Sequence, residues 1–115
     1  MVTLRTQEME SKYQEHKRAE WPTGFCPLCE KESKKDFGFW KVVENSFPYD
    51  QIAKIHHLLL PLRHVTGKEL RAEELEELSM IRDSFVNAGY DWVIEPTEKN
   101  KSLPDHFHLH LIIGK

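Results

Sequence analysis

No run of the sequence approaches the roughly 20 consecutive apolar residues of a membrane-spanning helix, and residues 1–20 are too charged to form a secretory leader. An excess of basic charge is missing too. The 16 Lys and Arg stand against 19 Asp and Glu, a formal net charge of −3, so no general attraction to nucleic acid or to a membrane surface is expected, and any phosphate site must be local. Repeats and low-complexity linkers are absent. Cysteine is reduced to Cys26 and Cys29, in Cys-Pro-Leu-Cys, a spacing that suits metal or redox chemistry better than a structural disulfide. These absences make a cytoplasmic setting the default expectation. At 115 residues, 39% hydrophobic and 30% charged, the chain 1–115 reads as one globular domain, with residues 1–20 as an N-terminal helical extension.

Residues 2–19 read as a polar helix with a thin stripe of Met9, Tyr13 and His16, peripheral to the core. Trp21 to Gly24 breaks it. Phe37–Val43 is aromatic and β-branched and predicts a strand, Asn45 to Pro48 a turn, and Ile55–Leu60 a second strand stopped by Pro61. Thr66 and Glu69 have capping-box spacing ahead of a long helix whose core stripe is Leu75, Leu78, Ile81 and Phe85. Gly89 is placed to end that helix in a left-handed cap. Tyr90–Ile94 predicts a third strand, and a polar loop from Glu95 to Asp105 precedes a last one. The order implies an α+β domain with a mostly antiparallel sheet, one long helix and a peripheral N-terminal helix.

That last strand carries the densest signal. His106, His108 and His110 alternate with Phe107, Leu109 and Leu111, so a strand places three imidazoles on one face and apolar groups on the other. Three protonated neighbours would repel, so the face suits either a metal bound by neutral imidazoles or a phosphate-handling site. Upstream, His56 and His57 point to opposite faces, so only one of them can join that site. His64 lies in a loop. Cys26, Cys29, His64 and one end of the histidine strand would complete a Cys2His2 zinc set, although a Cys-x-x-Cys pair alone could also be a redox pair or two core cysteines.

His106-Phe-His108-Leu-His110-Leu-Ile resembles the signature of the histidine triad family of nucleotide hydrolases and transferases. Asn45-Ser-Phe-Pro48-Tyr49 and His56-His-Leu-Leu-Leu-Pro61-Leu-Arg63-His64-Val65 resemble that family's upstream segments, and the likeness covers residues 25–112, most of the domain. The resemblance implies a nucleotide-binding hydrolase or nucleotidyl transferase acting at the α-phosphate through a covalent nucleotidyl-histidine. His108 would be the nucleophile, His110 would bind a phosphate oxygen, and His56 would support the pair. Its zinc-bearing branch implies a structural Zn2+ on Cys26, Cys29, His64 and His106.

Asn45 matches the position that approaches the ribose, and on residue chemistry alone is an Asx-turn residue. Ser102 is a candidate phosphate contact, standing four rather than three positions before His106. Arg63 could offer charge to phosphate, although a loop arginine beside a strand end is more often solvated, while His57 and His16 read as structural. Where many members carry an asparagine, this chain has Glu95-Pro96, so Glu95 should point away from the phosphates. The expected partner is a small-molecule nucleotide, of the nucleoside phosphoramidate or dinucleoside polyphosphate class, and a homodimer is the common assembly of small members. A zinc-stabilised nucleotide-binding module with little turnover is the alternative.

Overall fold

The computed structural model describes residues 4–20, 26–100 and 104–115, with the backbone alone at 17–20 and 100. Five strands, β1 (Ser33–Asp36), β2 (Trp40–Glu44), β3 (Ala53–Pro61), β4 (Trp92–Ile94) and β5 (Leu109–Gly114), form one sheet in the order β1-β2-β3-β5-β4. Every pairing is antiparallel. The expected α+β architecture is the one found. Among the described residues no helix is long and apolar enough to cross a membrane.

Local chemistry explains where the elements depart from the sequence pattern. β2 starts at Trp40 rather than Phe37, because the Glu77 carboxylate accepts the N–H groups of Gly38 and Phe39, at 3.0 and 2.6 Å, and holds them in a turn. The polar edge strand β1 offers no apolar alternation to read. β3 runs one residue further than expected, with Pro61 opposite Trp40 as its last member.

The Thr66–Glu69 pair does cap, Glu69 Oε1 accepting the Thr66 N–H at 2.9 Å, but it caps only the 3-10 turn Gly67–Glu69. The helix α3 (Ala72–Ile81) begins separately, where Glu74 accepts the Arg71 N–H at 2.7 Å. It runs on through a π-type turn, Arg82–Val86, and a last turn, Asn87–Gly89. The buried stripe is Glu74, Leu78, Ile81 and Val86, with Phe85 half-buried, and Leu75 is 49% exposed. The cause is Arg63, whose guanidinium holds the Glu74 carboxylate at 2.9 and 2.7 Å and draws that position inward in place of Leu75. Gly89 ends the helix without a left-handed backbone, Tyr90 continuing in extended conformation.

The two sheet faces do different work. One buries Trp40, Val42, Leu59, Leu109 and Leu111 against Leu78, Ile81 and Val86 of the long helix. On the other, Val43, Leu58 and Leu60 pack against Leu28 of the short helix α2 (Pro27–Glu30). Helix α1 (Gln7–Glu20) starts at Thr6, whose Oγ1 accepts the Met9 N–H at 3.3 Å. It lies outside the sheet, and the break expected at Trp21 to Gly24 lies outside the described residues.

Leu111 is fully buried between sheet and helix, so Leu111→Ala should lower the unfolding free energy by about 3 kcal/mol in urea titration. Leu75→Ala should cost less than about 0.5 kcal/mol, the reverse of the ranking that the sequence stripe implies.

Candidate functional site

The site follows from strand register. β3 and β5 pair with Leu58 opposite His110 and His56 opposite Ile112, so His56 and His110 are diagonal neighbours on the face away from α3. His106 and His108 precede β5 on the same side. His57 falls on the helix face, 2.6 Å from the Tyr90 hydroxyl, a structural place as expected.

At one end of the histidine row lies a four-residue cluster. The donor atoms of Cys26, Cys29, His64 and His106 all lie within 4.8 Å of one another. His106 Nδ1 is 3.5 Å from Cys26 Sγ and 3.4 Å from Cys29 Sγ, and His64 Nδ1 is 3.3 Å from Cys29 Sγ. Tetrahedral Zn2+ with its usual bond lengths separates a sulfur and a nitrogen by about 3.5 Å, so the spacing fits. The tautomer fits as well: His106 Nε2–H donates to the Pro61 carbonyl at 2.9 Å, which leaves Nδ1 as the lone-pair nitrogen facing the thiols. Desolvation, reinforced by Cys26, pushes the Cys29 thiol up to about 11. Cys29 is therefore not a reactive thiolate unaided, and a bound cation would draw its proton off.

The other end is a hydrogen-bonded chain whose direction is set by one backbone donor. The Tyr49 N–H donates to His56 Nδ1 at 3.0 Å, so the neutral His56 carries its proton on Nε2. That Nε2–H donates to His110 Nδ1 at 2.8 Å, which places the His110 proton on Nε2, 3.3 Å from the Tyr49 hydroxyl. His108 is set independently, its Nδ1–H donating to the His106 carbonyl at 2.9 Å, so Nε2 bears the lone pair. His108 and His110 lie with ring centroids 5.2 Å apart. A nitrogen lone pair thus stands beside an N–H donor.

Burial keeps the pair neutral. It pushes His56 down to about 3 and His110 down to about 2, and the positive charges that Arg5 and neighbouring imidazoles would add act in the same direction.

His108 and His110 line a cleft together with Leu28, Lys31, Asn45 and Leu58 and with Arg5, Tyr13, His16, Phe47 and Tyr49. Asn45 forms the Asx turn, its Oδ1 accepting the Phe47 N–H at 2.9 Å, and the residue also lines the cleft. Ser102 lies outside the described residues. Arg63 is corrected, since both its guanidinium contacts to carboxylate go to the buried Glu74 rather than to the cleft. His16, read as structural, forms part of the cleft wall 5.1 Å from Phe47. Glu95 lines a separate hollow with Arg82 and Glu98, away from the histidines, while Pro96 reaches the cleft.

Arg5, Tyr13, Phe47 and Lys31 were not foreseen as cleft residues. The chain signals only a polar helix and a turn there, and their convergence is long-range, with the Arg5 Nε–H on the Phe47 carbonyl at 2.7 Å. Tyr49 carried a signal in the Pro48-Tyr49 turn.

No family model and no curated protein matches the chain. Among solved structures it resembles a HIT family hydrolase from Legionella pneumophila Philadelphia 1, at 18% identity and a TM-score of 0.56, over 79% of this chain and 94% of that one. It likewise resembles a histidine triad protein from Clostridium difficile, at 18% identity and a TM-score of 0.56, over 78% and 90%. The chain has the fold of these proteins.

Elemental analysis should find one divalent metal ion per chain, and Cys29→Ala should lower that content at least ~10-fold. Stability should also depend on His56 and His110. Both stay neutral in the fold but take up protons in the unfolded chain below about pH 6.5, so the unfolded state binds more protons and stability falls from there as the pH drops toward 3. In urea titrations at pH 7.5 and 5.0, His110→Gln should shrink the wild-type loss by on the order of 1 kcal/mol.

Proposed function

We propose that the chain is a member of the histidine triad family, acting as a nucleotide hydrolase or nucleotidyl transferase at the α-phosphate. The observation that carries the reading is the set of hydrogen-bond partners around the two rings, which assigns a lone pair to His108 Nε2 and an N–H to the neighbouring His110 Nε2. That is the pairing a phosphorus displacement needs, a nucleophile beside a donor for a phosphoryl oxygen.

His108 Nε2 attacks the α-phosphorus as the bond to the leaving group breaks, giving a nucleotidyl-imidazole, and the leaving group takes a proton from solvent, which the attacking water or acceptor returns in the second step. The positive charge that develops on the ring strengthens the Nδ1–H bond to the His106 carbonyl. The His110 Nε2–H binds a non-bridging oxygen, backed by His56 through Nε2–H to Nδ1. Water or a second acceptor then displaces His108, which regains its lone pair. Asn45 lines the same cleft and would contact the ribose.

Zn2+ on Cys26, Cys29, His64 and His106 would be structural, because four protein ligands leave no position for water. It would tie α2 to the segment that leads through His108 into β5. The substrate class is the nucleoside phosphoramidates or dinucleoside polyphosphates. The cleft lining combines the apolar Leu28 and Leu58 with the polar Asn45, His108 and His110, which offers a nucleotide both apolar and hydrogen-bonding surface.

Adenosine 5′-phosphoramidate should be hydrolysed, and His108→Ala should lose at least ~1000-fold in kcat with folding and metal content intact. Rapid quench should trap an adenylyl adduct on His108. Binding without turnover or adduct across a panel of nucleotides would sink the enzymatic reading and leave a zinc-stabilised binding module.

A further inference from the structure

The segment ahead of α1 lies outside the sheet, yet Arg5 within it is only 8% exposed. Its Nε–H donates to the Phe47 carbonyl at 2.7 Å and a terminal N–H donates to the Glu10 carboxylate at 3.2 Å. The guanidinium carbon lies 4.4 Å from the Tyr13 ring centroid and 5.0 Å from that of Tyr49. Backbone ties fix the segment in place: the Gln51 N–H donates to the Leu4 carbonyl at 3.2 Å, and the Thr6 N–H and hydroxyl donate to the Asp50 carboxylate at 2.7 and 2.8 Å. This is more anchoring than a loose extension needs.

Tyr49 is the next layer inward. Its ring stacks on His110, with centroids 4.8 Å apart and an interplanar angle of 23°, and lies 4.6 Å from His56. The same residue supplies the N–H that sets the His56 tautomer and the hydroxyl that meets His110 Nε2. Arg5, Tyr49 and the imidazole pair therefore form consecutive layers.

We propose that Arg5 is a positioning residue for the His56–His110 pair, holding Tyr49 against both imidazoles and holding the pair in its neutral, Nε2-protonated tautomers. The inference deepens the proposed reaction and rests on it for its catalytic meaning. A proton added to His56 Nδ1 would turn an acceptor into a donor facing the Tyr49 N–H, and would set a second cation near the guanidinium across a single ring. The charged and titratable groups that bear on the pair are Arg5, Tyr49, His57 and His108, with Glu10 on Arg5. His57 sits on the opposite face, and Glu10 offsets only part of the Arg5 charge. The cation thus favours neutral imidazoles, and the stack favours one orientation.

The test uses the full chain with its metal. In 15N spectra at pH 7 the wild-type His56 and His110 should each show protonation at Nε2 alone. Arg5→Met should move these shifts toward averaged values, and kcat for adenosine 5′-phosphoramidate should fall on the order of 10-fold with KM within about twofold. Arg5→Lys, which keeps the charge, should return most of both. If Arg5→Met lowers the melting temperature but leaves the imidazole spectrum and kcat as in wild type, Arg5 is only a clamp for α1 and the proposal falls. Should Arg5→Met not fold, Tyr49→Leu removes the intervening ring, and an unchanged imidazole spectrum there would overturn the proposal equally. The spectra need no turnover, so a wild-type chain that hydrolyses nothing would remove the proposed reaction while the tautomers still decide the placement of Arg5.

Discussion

The antiparallel register between β3 and β5 is the constraint on which the rest depends. With Leu58 opposite His110 and Leu59 opposite Leu109, the apolar set of both strands meets the long helix, and His56, His108 and His110 meet the cleft. Strand side chains have a period of two, so a slip of one residue would send the histidines into the apolar layer and Leu109 and Leu111 toward solvent. Both faces oppose that slip. Leu59, Leu109 and Leu111 are fully buried on one, and the imidazoles have matched partners on the other.

Those partners matter because the histidines are themselves inside: His56, His106, His108 and His110 are all buried. A buried polar atom without a partner costs about 1–3 kcal/mol, and among the described residues no buried side-chain nitrogen or oxygen lacks one. Each bond also selects a tautomer. The Pro61 carbonyl aims a lone pair of His106 at the cysteines, the His106 carbonyl does the same for His108 toward the cleft, and the Tyr49 N–H fixes His56. Three backbone groups thus decide which ring nitrogens can coordinate, attack or donate, in surroundings where water does not compete.

How legible this was from sequence depended on the range of the interaction. The histidine alternation carries its own geometry, so the imidazole face could be read directly, whereas the grouping of Cys26, Cys29, His64 and His106 was complete only through the resemblance to the histidine triad family. Short-range competition was harder. Leu75 and Glu74 occupy adjacent positions, and nothing local says that Arg63 will pull the acid inward and leave the leucine at the surface. Gly89 looked like a left-handed cap, but its extended successor Tyr90 ends the helix without one. Least visible was the N-terminal segment, since the bonds of Arg5 and Thr6 cross more than 40 residues to a turn whose own sequence shows only turn chemistry. Helical spacing in residues 7–20 says nothing about the surface on which the helix will lie.

The strand order β1-β2-β3-β5-β4 places the last strand made between two made earlier. While the chain is being synthesised, β2 and β3 can pair as a hairpin, but the inner edge of β3 has no neighbour until β5 arrives. β4, three residues long, has none at all before then. Closing the sheet therefore requires a late, distant pairing, which raises the loop-closure cost of the folding barrier and prolongs the exposure of an open strand edge. His106 and His108 lead into the strand that ends this exposure and His110 lies on it, so the interval of greatest aggregation hazard and the completion of the imidazole face are linked by topology.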